Sequence, residues 1–466
     1  MRTETKPGGR GAAEMIVREM EWRDPLAAFA PFARAPQAVL LHAGEAALGH
    51  RWSILAVRPS MTIERRNGAT FVGGAVTPLS PFEALARAHR SRRRAPTDAG
   101  PPFLSGLVGF AGYECGALLE PAAAAPPSPE ASPDFVFAAY DAAVSFDCKA
   151  RRAFVSAPDD GAADELQAAL GGQRPPPDVS PLHFEGSNFS AERYREAVRE
   201  VIRRIADGAL YQANISHRLV FMSGDETDAF AIFARAVEQS SAPFGAYLNA
   251  AGAQIVSLSP ERFFMVANEC GASVIRAEPI KGTRPRGATP EEDEALARAL
   301  LTSAKDRAEN VMIADLTRND LSRICADGSI REEKIAALQS HATVHHLVST
   351  ISGVLRDGVT AADALVALFP CGSITGAPKV EAMRTIAAVE GAARGPYCGA
   401  IGYIDDRGGA DFSVAIRTAL VAGRRVILPV GGGVTLRSDP EAEYQETLDK
   451  AAWFLRLAGI DRASLA

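Results

Sequence analysis

Lys281 stands in the stretch Pro279-Ile280-Lys281-Gly282-Thr283-Arg284-Pro285-Arg286-Gly287, and it is one of only seven lysines among 50 basic residues. A chain that writes nearly every cation as arginine has some reason when it writes lysine. Arginine stays protonated, whereas a lysine amine can lose its proton and attack carbon. Arg284 and Arg286 are expected to depress the Lys281 pKa, because like charges disfavour the charged form. The same stretch also reads as a solvated basic loop. Ser259-Pro260-Glu261-Arg262-Phe263 follows a short strand, Gln254 to Leu258. A carboxyl at a strand end can act as a general acid if burial raises its pKa, and an ion pair with Arg262 would do the reverse. Two pairs of acids have helical spacing: Asp306 with Glu309, and Glu443 with Glu446. Residues i and i+3 share a helix face. Two such pairs on two helices could converge on one hard cation, and carboxylate ligation with room for water suits Mg²⁺. Glu446 with Lys450 is also an ordinary i,i+4 ion pair.

These residues need elements to hold them. The first acidic pair opens a helix that continues through Val311, Met312 and Leu316. The second lies in a last helix with a capping box from Ser438 to Glu441 and a core face of Tyr444, Leu448, Ala452 and Leu455. Tyr194, Val198, Val201, Ile202 and Ile205 predict a helix from Ser190, with Gly208 to end it. Tyr211, Ala213, Ile215, Leu219 and Phe221 then alternate as one face of a half-buried strand, which puts Gln212 on the other, outer face. Tyr397 opens a strand from Cys398 to Ile404, and Phe412 to Leu420 reads as another, with Ser413, Ala415 and Arg417 on its small-residue face. An arginine among small residues leaves room for a planar carboxylate. Ser373 and Thr375 lie in a loop leading into a helix, where hydroxyls and helix-start N–H groups suit an anion. Gly431-Gly432-Gly433 ends a strand and could offer N–H groups to an anion, or could be a plain turn.

The first part of the chain reads as short strands and helices. Val39 and Leu40 sit in an apolar strand from Ala38 to His42, followed by Ser53 to Val57 and Phe103 to Phe110. Phe135 to Tyr140 and Ala143 to Phe146 read as strands meeting at a turn. Pro121 to Pro133 and Gly171 to Pro181 are loops by composition, and the second marks the expected boundary, with regions 1–185 and 186–466. The net charge of −6 points away from nucleic acid. The basic run His89 to Arg94 reads as a helix end entering a Pro-rich loop. Six scattered cysteines without a CxxC pair argue against zinc and disulfides and fit a reducing cytosol. The polar N-terminus has no apolar core of a signal peptide, and no run approaches membrane-spanning length.

The segment from Pro279 to Gly287 resembles the active-site stretch of aminodeoxychorismate synthase large subunits, a branch of the chorismate-utilising enzymes that includes anthranilate synthase component I. Tyr211-Gln212-Ala213-Asn214-Ile215-Ser216, Ser259 to Phe263, Lys305 to Asn310, His345 to Ser349, Cys371 to Lys379 and Glu441 to Thr447 are similar to the family at matching places. The resemblance implies an α/β (α+β) sandwich of large, mostly antiparallel sheets with outer helices, the two halves of the chain intertwined. It implies chorismate as substrate, with Mg²⁺ held by Glu309, Glu443, Glu446 and Asp306 on the ring carboxylate. Arg417, Tyr397 and the N–H groups of Gly431, Gly432 and Gly433 would hold the enolpyruvyl carboxylate, with Ser373 and Thr375 also at the substrate and His346 near the ring. Lys281 would attack ring carbon 2 while Glu261 protonates the departing 4-hydroxyl. Ammonia then adds at carbon 4 and gives 4-amino-4-deoxychorismate, for p-aminobenzoate and folate synthesis. Relatives that add water carry lysine at the position of Gln212. A glutamine there cannot deprotonate water but can orient a neutral amine.

Leu40-Leu41-His42-Ala43-Gly44 resembles a segment lining a tryptophan pocket in this family, although Ala43 stands where relatives often have serine, and a buried strand explains it equally. The glutaminase that would release ammonia needs a G-x-C-x-G turn and a His-x-Glu pair. Gly112-Tyr113-Glu114-Cys115-Gly116 has its cysteine one place late, and His183-Phe184-Glu185 stands alone in a linker. A separate glutaminase subunit, component II, and a cytoplasmic location are therefore expected. Two other readings remain: anthranilate synthase component I, which usually carries alanine at the lysine position, and a non-catalytic amino-acid-binding regulator of the same fold.

Overall fold

A computed structural model of the chain describes residues 14–44, 51–97, 100–124, 132–170, 175–240, 242–250, 252–341 and 344–465. Most of the polar N-terminus, and parts of both proline-rich loops, lie outside the described residues.

Two 12-stranded sheets face each other, and every described strand pair is antiparallel. The centre of the first sheet runs in the order Val39–His42, Phe244–Ala250, Ala253–Ser259, Thr418–Ala422, Arg425–Thr435, Gln212–Ser223. The second runs through Ile280–Pro285, Val344–Val354, Ala272–Ala277, Arg262–Glu269, Ala410–Val414, Ala400–Asp405, Gly106–Ala111 and Phe135–Tyr140. Strands from before and after residue 185 are thus neighbours in both sheets: Leu40 pairs with Tyr247, and Gly109 with Gly402.

Strands covered on both faces read as continuous apolar runs rather than alternating ones. Phe135–Tyr140 is such a run, with all six residues buried. Val136, Ala138 and Tyr140 fill the space between the sheets, while Phe135, Phe137 and Ala139 face the outer helical layer. Helices such as Pro81–Arg92, Ala191–Ala206, Ala361–Leu368 and Pro440–Ala458 bury their apolar faces in that layer. Ser190 caps the second of these by accepting from the Arg193 amide at 3.2 Å, as its sequence predicts. Among the described residues no helix is long and apolar enough to cross a membrane.

Several local expectations change in the folded chain. Phe135–Tyr140 and Ala143–Asp147 do meet at a turn, but they enter opposite sheets instead of pairing. Phe412 to Leu420 is two strands, Ala410–Val414 in the second sheet and Thr418–Ala422 in the first. Arg417 sits in the crossover with φ of 50°, a left-handed conformation that breaks the alternation. Tyr397 precedes its strand, Ala400–Asp405, by a turn. The last helix is capped by Asp439, whose carboxylate accepts from the Ala442 amide at 2.9 Å, and Ser438 donates to Glu443 instead. In the basic run, Arg90 pairs with Asp363, Arg92 with Asp141 and Asp406, and Arg94 with Asp406.

Candidate active site

Two crossovers between the sheets meet at one end of the sandwich. In one, Ala253–Ser259 passes through Pro260 and Glu261 into Arg262–Glu269; in the other, Ala410–Val414 passes through Arg417 into Thr418–Ala422. They are stitched together by Val414 N donating to Glu261 O (3.0 Å), Leu258 N to Arg417 O (3.0 Å) and Ser259 Oγ to Val414 O (2.6 Å). A strand sends successive side chains to opposite sides. Arg262 therefore turns away from Glu261 and takes Asp411 through two bonds of 3.0 and 3.1 Å. Glu261 is left buried with no arginine beside it, and desolvation holds its carboxyl above the usual range despite the Ser373 hydroxyl, Lys281 and the Ile280 amide. The alternative of a Glu261–Arg262 ion pair is not what the fold builds, since Arg262 is spent on Asp411 and Glu278.

Lys281 lies on the edge strand Ile280–Pro285 and donates to the Ser373 carbonyl at 2.8 Å. Its ammonium is held below the usual lysine range, and the main cause is burial rather than neighbouring arginines. Arg284 is paired with Asp306 at 2.9 Å, and Arg286 with Asp293 at 2.7 Å. Glu261, Glu309 and Glu446 oppose the shift, so amine and acids share one electrostatic environment.

Gln212 is fully buried, not on an outer face. Its strand is covered on both sides at this end, and neither polar atom of its amide has a hydrogen-bond partner among the described residues. An unpaired buried amide costs about 1–3 kcal/mol, a cost that a bound polar group would remove. Gly431, Gly432 and Gly433 do not end their strand. They lie inside Arg425–Thr435, opposite Ser216, Ile215 and Asn214. The reason is close approach. A Cβ at Gly433 would stand 2.6 Å from Gln212 Nε2 and 3.5 Å from Lys281 Nζ. At Gly432 it would stand 3.0 Å from Glu443 Oε2 and 3.7 Å from Glu446 Oε1. The glycines keep the floor bare between the amide, the amine and the acids.

Glu309 comes from helix Ala304–Ser322, Glu443 and Glu446 from Pro440–Ala458. Burial raises the carboxyls of Glu309 and Glu443 above the usual range, whereas Lys450 lowers Glu446. Glu309 Oε1 is buried without a hydrogen-bond partner among the described residues, and Lys305 stands 3.9 Å from it. Lys450 Nζ bonds both Glu446 Oε1 (2.8 Å) and the Gly431 carbonyl (2.7 Å), so the i,i+4 ion pair forms inside the acidic cluster. Asp306 is paired with Arg284 at 2.9 Å, and it lies close enough to Glu309 on the same helix to help raise that carboxyl. A desolvated set of hard oxygen donors suits a cation such as Mg²⁺. Among the described residues no three of these groups already stand in ligating geometry.

His346 on strand Val344–Val354 meets Thr283 Oγ1 through Nδ1 at 2.9 Å. Burial, with His341 and Arg417 nearby, pushes it down to about 3, so its ring is neutral. The Arg417 guanidinium has no hydrogen-bond or ion-pair partner among the described residues and is open to an anion. Ser373 faces Cys371 and Glu261, while Thr375 spends its hydroxyl on the Cys371 carbonyl. The loop thus presents a carbonyl to Lys281 rather than an N–H cradle. Tyr397 is buried beside Cys398 and Arg394. Cys115 is buried, and its thiol is pushed well up, which disarms it as a nucleophile. Sequence reasoning missed Lys450 as a site neighbour and Arg394 altogether; the near absence of lysine could have flagged the first.

A separate cavity of about 580 Å³ lies between the sheets, lined by Leu41, His42, Ala43, Phe244, Met265 and Tyr403 among others. It contains the strand end singled out in the sequence as a pocket segment, but neither Lys281 nor Glu261.

The chorismate binding enzyme family matches residues 38–456. Aminodeoxychorismate synthase component 1 of Escherichia coli (strain K12) is 36% identical over 446 residues, 93% of this chain and 96% of the relative. Anthranilate synthase component 1 of Thermus thermophilus is 33% identical over 453 residues, 95% of this chain and 96% of the relative. The crystal structure of anthranilate synthase component I from Streptococcus pneumoniae TIGR4 superposes with a TM-score of 0.77 at 30% identity, covering 88% of this chain and 92% of that one.

Proposed function

The chain belongs to the chorismate binding enzyme family, and from that premise we propose that it is the large subunit of an aminodeoxychorismate synthase, aminating chorismate with ammonia from a separate glutaminase subunit in the cytoplasm. The observation that carries this reading is a half-buried lysine, Lys281, with its pKa held down, sharing one environment with a buried carboxylic acid, Glu261. The amine of Lys281 attacks ring carbon 2, the two conjugated ring double bonds shift, and the 4-hydroxyl leaves as water with the proton of Glu261. Ammonia then adds at carbon 4, both double bonds shift back, the Lys281 amine departs, and the surplus proton of the new ammonium returns to Glu261. The product is 4-amino-4-deoxychorismate, with one water released for each ammonia taken up. Gln212 can accept from and donate to neutral ammonia but cannot deprotonate water. Arg417 offers its free guanidinium to the enolpyruvyl carboxylate. Glu309, Glu443 and Glu446 would hold Mg²⁺, which when bound neutralises the ring carboxylate. Support for a separate ammonia donor comes from the buried Cys115 and from relatives named as component 1.

The deciding experiment supplies chorismate, Mg²⁺ and an ammonium salt and identifies the product by mass. Aminodeoxychorismate, convertible to p-aminobenzoate by a lyase, is expected. Anthranilate as the sole product would replace this reading with that of the Thermus relative.

A further inference from the structure

Behind the reactive groups lies a buried ion pair that no step of the proposed chemistry uses. Arg394 and Glu390 are 4% exposed each. Arg394 Nε and Nη2 donate to the two Glu390 oxygens at 3.0 and 2.6 Å. The same guanidinium donates to the Asn214 carbonyl at 2.6 Å and to the Ile374 carbonyl at 3.3 Å. Glu390 in turn accepts from Ser216 N and Oγ at 2.7 and 3.0 Å. The backbone around Arg394 is itself pinned, because Glu114 accepts from the Arg394 and Gly395 amides at 2.6 and 2.9 Å. The Tyr113 ring covers the guanidinium at 4.5 Å.

The carbonyls it holds are informative. Ile374 follows Ser373, whose carbonyl receives Lys281 Nζ. Asn214 lies two residues from Gln212, whose amide faces Lys281 across Gly433. Strand and loop also bond directly, Asn214 N to Thr375 O at 2.8 Å. A planar fork that takes a carboxylate and two carbonyls at once fixes their relative positions in a way a point charge does not.

We propose that Arg394 is a positioning residue for the amination, clamping the Ile374 and Asn214 carbonyls so that Ser373 orients the Lys281 amine and Gln212 faces the incoming nucleophile. The inference rests on the function proposed above, since it acts through Lys281 and Gln212.

The test is Arg394→Lys, which keeps the charge and its attraction to Glu390 but loses the fork. Steady-state kinetics with chorismate and ammonium are combined with product analysis and a thermal melt. The expected result is a folded protein with the chorismate KM within about threefold of wild type, kcat down about 10²-fold, and a raised ratio of hydroxylated to aminated product. A merely structural weakening would lower both products together. A wild-type kcat and product ratio in Arg394→Lys, an effect confined to KM, or outright loss of the fold would each overturn the assignment. Wild-type protein keeps the two readings apart: absence of aminodeoxychorismate from wild type sinks the function proposed above. The kcat of whatever product wild type does make then tests the clamp.

Discussion

Lys281 is the residue on which most depends, and its two conceivable roles separate under substitution. Lys281→Arg keeps a cation but not an amine that can deprotonate at working pH. If Lys281 attacks carbon 2, this variant should lose at least about 10³-fold in kcat, a magnitude typical of removing a nucleophile, with chorismate binding retained. Intact-mass analysis of wild type stopped during turnover should show an adduct of chorismate minus water on Lys281. An active arginine variant with no adduct in wild type would return the site to the anthranilate reading. The pH dependence follows from burial. Lys281 must be deprotonated to attack, so the rate at fixed free NH₃ rises with pH; because burial lowers this pKa, the rise comes below the range of an exposed lysine. Glu261 must be protonated to donate, so the rate falls as it ionises; because burial raises that pKa, the fall comes above the usual carboxylate range. His346, already neutral with its pKa near about 3, should add no limb between about pH 5 and 8. A limb in that window that disappears in His346→Gln would contradict this placement.

At the scale of elements, the glycine strand and the two acidic helices set the geometry. Gly433→Ala would drive a Cβ to within 2.6 Å of Gln212 Nε2, and Gln212 is fully buried and has little freedom to give way. The variant should fold and bind chorismate but lose about 10²-fold in kcat, on the scale of a misplaced reacting group. Near-wild-type turnover would show that the amide is dispensable. Glu309→Gln, Glu443→Gln and Glu446→Gln should each raise the Mg²⁺ concentration needed for half-maximal rate, since a neutral amide is a poorer ligand for a hard cation. Asp306→Asn should do so least, because its carboxylate is already paired with Arg284. Titration of Mg²⁺ by calorimetry separates the four, and an unchanged requirement in all three glutamate variants would remove them from the site.

At the scale of the whole molecule, neither side of residue 185 is closed by itself. Val39–His42 is hydrogen-bonded to Phe244–Ala250, and Gly106–Ala111 to Ala400–Asp405. A fragment of residues 186–466 would open a row of unpaired backbone groups at both cuts and expose the core faces of two sheets. It should be unfolded or aggregated when produced alone, and should recover structure when 1–185 is supplied in trans. A cooperative melt of the isolated fragment would show that region 186–466 is an independent domain. The sequence already pointed to Lys281, Glu261 and the acids of the two helices, in part because lysine in an arginine-rich chain and i,i+3 acids are local signals and in part through the family resemblance of the segments around them. It also indicated which stretches are strands, because apolar runs record burial. It could not say which sheet each strand joins, since that is decided by partners a hundred or more residues away. For that reason the turning of Arg262 away from Glu261, the burial of Gln212, the left-handed crossover at Arg417 and the reach of Arg394 to two site carbonyls belong to the tertiary structure. Even the pKa of Lys281 follows this division. Chain neighbours pointed to Arg284 and Arg286, but folding paired both with acids and left desolvation as the main cause.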